Sequence, residues 1–141
     1  MLWYTYCRMR KGYHKQHNIT YNIPIHFIFV TRYRRKIFVG EEIIGEITDS
    51  TKQVLDSEGC KLMHLEIGID HMHLYAGIVP DISTKQLANK IRTETSKAIM
   101  AKHPELRGST VVWGSGCLVA TDAIYKKKDC MQFVNAQKKR N

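Results

Sequence analysis

No stretch of this 141-residue chain approaches the roughly 20 uninterrupted apolar residues of a membrane-spanning helix, and a soluble protein is the expectation. The N-terminus sets Arg8, Arg10 and Lys11 behind a short aromatic patch of Trp3, Tyr4 and Tyr6. It has no apolar run followed by a small-residue cleavage site, so secretion is not indicated and the cytoplasm is the expected compartment. Cysteine is sparse: Cys7, Cys60, Cys117 and Cys130 lie far apart with no CxxC pair, which argues against a zinc knuckle and a disulfide framework and for reduced, packed thiols. Acidic residues are the minority charge, 13 against 22 Lys and Arg, and the resulting +9 favours a polyanionic partner. Internal repeats, low-complexity segments and linkers are also missing. The length fits one domain, and an apolar share of 43% suffices for a core. We expect a basic arm over residues 1–18 and a single domain over residues 19–141.

The apolar pattern then divides the chain into elements. From Ile23 to Thr31 the run is rich in branched and aromatic residues and predicts a strand with Pro24 near its start or on an edge. After the basic knot Arg32, Arg34, Arg35 and Lys36, a helix is predicted from about Glu41 to Glu58, with Ile43, Ile44, Ile47, Val54 and Leu55 inward and Gly59 ending it. Runs at about Lys61–Ile69 and His71–Val79 predict a strand pair turning at Asp70. Ser83 and Gln86 read as a capping box opening a helix over about Thr84–Lys102, with Leu87, Ile91, Ala98 and Ile99 inward. A fourth strand over about Thr110–Thr121 and a last helix over about Lys128–Lys138 complete the chain. The order strand, helix, strand, strand, helix, strand, helix predicts an α+β fold: a ferredoxin-like antiparallel sheet with helices on one face.

Chemistry concentrates in two places. Side chains alternate across a strand, so His71 and His73 share one face while Met72, Leu74, Ala76 and Ile78 take the other. Two imidazoles on a rigid strand are suited to a metal ion, although a solvated or core-satisfied pair is the plain alternative. On the last helix Phe133 and Gln137 are four residues apart and share a face. The Gln137 carbonyl oxygen could supply a third ligand and leave positions open for water or a phosphate oxygen.

Taken together, Thr31-Arg32-Tyr33-Arg34-Arg35-Lys36, Asp70-His71-Met72-His73-Leu74, Trp113 with Ser115 to Thr121, and Phe133-Val134-Asn135-Ala136-Gln137 resemble the single-tyrosine HUH transposases of small insertion sequences, the TnpA type. The resemblance runs from about Tyr21 to Lys138. It implies the HUH fold, with a C-terminal helix carrying the nucleophile, in a homodimer acting on single-stranded DNA with hairpins at the element ends. His71, His73 and Gln137 would then bind Mg²⁺ or Mn²⁺, and a tyrosine one turn before the glutamine would form a 5′-phosphotyrosine link with a free 3′-hydroxyl. No nucleotide cofactor is implied. For DNA contacts the basic residues singled out are Arg32, Arg34, Arg35 and Lys36, with Lys90, Arg92 and Lys97 at helical spacing.

The sequence departs from that pattern where the nucleophile is expected, because position 133 is phenylalanine. A phenyl ring has no oxygen and cannot form the ester. Three explanations stay open: a Tyr to Phe substitution made to trap the protein on intact DNA, a natural relative kept for binding, or a displaced nucleophile. The intact metal and basic segments favour the first. Tyr125, beside Lys126, Lys127 and Lys128, is the best displaced candidate, while Tyr75 shares the histidine face and is expected to pack there. A non-catalytic hairpin-binding protein derived from a transposase is the alternative function, and a basic fold binding structured RNA is a third.

Overall fold

A computed structural model describes residues 13–106, 112–121 and 127–137. Four strands form one antiparallel sheet: β3 (Pro24–Thr31), β4 (Lys61–Ile67), β5 (His71–Gly77) and β6 (Trp113–Thr121), in the order β4-β5-β3-β6. Helices α1 (Glu41–Ser57) and α2 (Thr84–Lys102) cover one face, and a short α3 (Lys127–Ala136) follows β6. A small hairpin, β1 (His14–Gln16) with β2 (Ile19–Tyr21), precedes the sheet and straddles the boundary expected between Asn18 and Ile19.

Strand β3 is buried at every position from Ile25 to Thr31, which accounts for its nearly continuous apolar sequence. Ile25, Phe27 and Phe29 join Met72, Leu74 and Ala76 of β5 in the main core against the inner faces of α1 and α2. Ile28 and Val30, facing the other way, meet Val134 of α3, with Leu118 and Phe133 at the margin. The third helix therefore packs on the second face of the sheet, the face on which the alternation of β5 sets its histidines.

The helix ends follow from local chemistry. Ser83 Oγ accepts from the Gln86 amide at 3.1 Å and the Gln86 side chain accepts from the Ser83 amide at 3.2 Å, the reciprocal box read from the sequence. At the end of α1, Gly59 adopts φ +72°, with its amide on Asp56 O and the Cys60 amide on Leu55 O. That Schellman closure requires a left-handed residue, and glycine reaches it without a Cβ penalty.

Two details escape simple periodicity. Leu62, Leu65 and Ile67 pack against the main core although Leu62 and Leu65 are three residues apart in a strand. A register shift between Leu62 and His64 inserts one extra residue, changes the phase of β4, and places His64 and Glu66 opposite Tyr75 and His73. On α2 Thr95 is fully buried along with Leu87, Ile91 and Ile99, whereas Ala98 is only half-buried. Thr95 Oγ1 donates to Ile91 O at 2.6 Å and accepts from Trp113 Nε1 at 2.8 Å, so the polar pair satisfies itself inside the core. The fourth strand begins at Trp113, and residues 107–111 lie outside the described residues.

Candidate functional site

The face of the sheet opposite α1 and α2 carries His71, His73 and Tyr75 of β5, with His26, Ile28 and Val30 of β3 alongside in the register Val30–His71, Ile28–His73 and His26–Tyr75. His71 Nδ1 lies 2.9 Å from Asp70 Oδ1, and the other oxygen of that carboxylate, Oδ2, accepts from Arg34 Nε at 3.2 Å. A carboxylate on one imidazole nitrogen fixes the ring and its tautomer and directs the other nitrogen's lone pair outward, as histidine ligands to metals require. Burial by itself would raise the Asp70 carboxyl, but the hydrogen bond and charge of His71 together with Arg34 outweigh it and hold the group below its ordinary value. The imidazole also occupies space that only glycine leaves: a Cβ at Gly68 would sit 2.3 Å from His71 Cε1.

His73 is held differently. Its Nε2 lies 2.9 Å from Nδ1 of His26, a residue only 6% exposed, and the two rings meet with centroids 5.2 Å apart and planes 28° from parallel. Tyr75 stacks on His26 at 4.2 Å, so its packing role is one of ring against ring within the sheet face. Burial lowers the His73 pKa, neighbouring His26 adds to the effect, and Glu66 across the strand pair opposes it. The neutral imidazole, the form that binds a cation, is favoured.

Phe133 packs at the edge of the Ile28, Val30 and Val134 cluster, and its ring and the Gln137 amide both lie near Gly116 of β6. Gln137 Nε2 donates to Phe133 O at 3.1 Å, one helical turn back. Gln137 also lines a cleft of about 1060 Å³ bounded by Arg32, Tyr33, Arg92, Lys97 and Ser115. Neither His71 nor His73 is among the residues that line this cleft. Tyr125 lies outside the described residues.

The basic residues singled out from the sequence divide by environment. Arg32, Arg92 and Lys97 converge on the cleft from the end of β3 and from α2. Arg92 is tied in place by Ser115 O at 2.7 Å and Asn89 Oδ1 at 2.5 Å, and the Arg32 guanidinium sits 5.2 Å from the Tyr33 ring centroid. Arg34 turns inward to Asp70 with its side chain 15% exposed, and Arg35 Nε donates to Arg32 O. Lys36 is exposed, Lys90 pairs with Glu58, and Lys97 also pairs with Glu94 at 3.6 Å. The inward turn of Arg34 comes from two successive left-handed residues, Tyr33 at φ +60° and Arg34 at φ +52°. Such strain persists only where surroundings enforce it, and here the Thr31 amide on Asp70 O and the Arg32 amide on Val112 O pin the turn.

Sequence reading gave no role to His26, Gly68 or the carboxylate of Asp70. The available signal was a histidine among the apolar residues Ile25 to Val30 of one strand, on the side opposite Phe27 and Phe29. Among the described residues a separate group, Glu42, Glu46 and His103, brings possible ligand atoms within 4.8 Å of one another between the first turn of α1 and the end of α2. There His103 Nε2 lies 2.8 Å from Glu46 Oε2 and Lys102 Nζ lies 3.9 Å from Oε1, a tie between the two helices.

Comparison with known proteins agrees with this architecture. The solved structure of a candidate transposase from Deinococcus radiodurans R1 superposes with a TM-score of 0.83 at 20% identity, covering 90% of this chain and 99% of that one. A REP-associated tyrosine transposase bound to a REP hairpin superposes at 0.56 with 14% identity, covering 88% of this chain and 68% of that one. In sequence, the ISDra2 transposase TnpA of Deinococcus radiodurans is 23% identical over 106 residues, 75% of this chain and 71% of that protein. No helix among the described residues is long and apolar enough to cross a membrane. The family model for IS200-like transposases matches residues 19–137, nearly the whole described domain, and the chain belongs to that family.

Proposed function

We propose that this chain binds single-stranded DNA bearing hairpins and holds a divalent cation, Mg²⁺ or Mn²⁺, with His71, His73 and Gln137, beside the position from which a tyrosine would attack a phosphodiester. The observation that carries the reading is the Arg34–Asp70–His71 chain of contacts on the face where α3 packs. Residues with no chemical task do not require an imidazole fixed by a buried carboxylate that is itself braced by a guanidinium. The Gln137 carbonyl oxygen is the kind of hard donor Mg²⁺ and Mn²⁺ take; the two imidazoles would hold the ion on the strand, and water and phosphate oxygens would fill its remaining positions.

A bound cation would polarise the scissile phosphate and offset the charge that develops there. Arg32, Arg92 and Lys97 would hold the phosphates of the strand along the cleft, and Tyr33, 40% exposed at its rim, offers a ring for base stacking. Residue 133 projects from α3 next to Gly116. A tyrosine there would form a P–O bond through its phenolate, release the 3′-oxygen of the broken strand as a hydroxyl, and conserve the ester for rejoining. Phe133 supplies no oxygen, so cleavage by that route requires a tyrosine restored at position 133. A homodimer is the expected active unit.

The test is Phe133→Tyr, incubated with single-stranded hairpin DNA and Mn²⁺ or Mg²⁺. A slower-migrating covalent protein–DNA band that His71→Ala abolishes is expected; hairpin binding with no adduct at any metal concentration would defeat the strand-transfer reading. The second reading, a non-catalytic hairpin binder, is favoured by one observation: the Phe133 ring already packs with Ile28, Val30 and Val134, where a phenol would carry its hydroxyl to the edge of an apolar cluster.

A further inference from the structure

His26 is a buried polar residue in the middle of the most apolar strand of the fold, at 6% exposure, and no part of the main core requires it. Leucine or valine would fill the same position on β3, as Ile28 and Val30 do two and four residues on. A buried polar group costs free energy unless a partner satisfies it, and the partner here is specific: His73 Nε2, 2.9 Å from His26 Nδ1. Tyr75, stacked at 4.2 Å and 14° from parallel, also restrains the His26 ring. Register explains the meeting, since His26 is opposite Tyr75 and Ile28 is opposite His73, so the two imidazoles are diagonal neighbours across the β3–β5 ladder.

We propose that His26 is a positioning residue for the cation site: it accepts the Nε2–H of His73 on its own Nδ1, and so fixes His73 in the tautomer whose lone pair is on Nδ1. The inference rests on the metal-centre reading above. It gives the two histidines of β5 separate supports, a carboxylate for His71 and an imidazole for His73. The supports differ because the neighbours differ. Asp70 belongs to the turn before β5 and reaches the first histidine, whereas on its β3 side His73 meets the buried position of His26, where an anion would face a larger desolvation cost than a neutral ring. A histidine ligand commonly donates its second ring N–H to such an outer partner, and losing the partner typically weakens metal binding tenfold to a hundredfold.

The experiment compares Mn²⁺ binding to the full chain by titration calorimetry for the parent, His26→Phe, His26→Gln and His73→Ala. His26→Phe keeps a ring against Tyr75 but removes the acceptor, and should weaken Mn²⁺ at least about tenfold. His26→Gln returns an acceptor oxygen and should recover most of that loss, while hairpin binding in EDTA stays unchanged in both. A folded His26→Phe protein with parental Mn²⁺ affinity, alongside a His73→Ala protein that has lost it, would overturn this inference alone. Parental affinity in His73→Ala would overturn the metal-centre reading and this inference together. Independently of any variant's folding, long-range imidazole ¹H–¹⁵N spectra of the parent should show His73 protonated at Nε2 and unprotonated at Nδ1. The opposite tautomer would overturn the assignment.

Discussion

Arg34 Nε donates to Asp70 Oδ2 at 3.2 Å, and through that carboxylate a residue of the loop after β3 sets the orientation of His71 at the start of β5. Arg34 is thereby a bracing residue in this fold, in contrast to its neighbours Arg32 and Lys36. Arg34→Ala should leave the Asp70 charge with one partner fewer and cost about 1–3 kcal/mol, the range for a lost hydrogen bond to a charged group. Lys36→Ala, at an exposed site, should change stability by less than about 0.5 kcal/mol. Urea denaturation of the two variants measures both, and equal small losses would show that the Arg34–Asp70 pair does not brace the loop.

Acid should loosen the same contact. The Asp70 pKa in the folded chain lies below its unfolded value of 3.8, so its stabilising contribution is complete above that value and is lost as pH falls through the lower folded value. The stability difference between the parent and Asp70→Asn should therefore be constant near neutral pH and shrink only below about pH 4. A difference that already shrinks near pH 6 would assign the titration to another group.

Two glycine substitutions should act in opposite directions. Gly68→Ala forces a Cβ to within 2.3 Å of the His71 ring and should displace it, weakening Mn²⁺ binding with little effect on hairpin binding in EDTA. Gly45→Ala, inside α1 with nothing within 4 Å of the added methyl, should stabilise the fold by about 0.5–1 kcal/mol. Calorimetric Mn²⁺ titration and thermal melts distinguish the two effects.

In the core, Thr95→Val keeps the volume but leaves the Trp113 indole N–H without its acceptor. A loss of about 1–3 kcal/mol is expected, together with a shift in Trp113 fluorescence on its altered polarity. Thr95→Ser keeps the oxygen and should recover much of the loss apart from its missing methyl. If valine proved as stable as threonine, the indole would have to be satisfied elsewhere.

Along the cleft, Arg32→Ala and Lys97→Ala should each lower hairpin affinity and reduce the slope of log K against log salt by about 0.7, the value for one phosphate neutralised on a single strand. Lys90→Ala, whose ammonium is paired with Glu58 away from the cleft, should leave the slope unchanged. Fluorescence anisotropy over a range of salt concentrations reads the slopes, and indistinguishable slopes for all three variants would remove the cleft as the strand's path.

Local signals in the sequence determined much of this fold: the capping box at Ser83, the glycine closure at Gly59, the alternation that sets His71 and His73 on one face, and the order of strands and helices. Each depends on residues within a few positions of one another, so backbone geometry and side-chain direction follow without knowledge of distant neighbours. Only the tertiary structure decided that Arg34 turns inward, that Arg32, Arg92 and Lys97 converge on one cleft, and that His26 meets His73 across 47 residues of chain. Those relationships come from strand register and a strained turn at Tyr33, where contacts remote in sequence outweigh local preference.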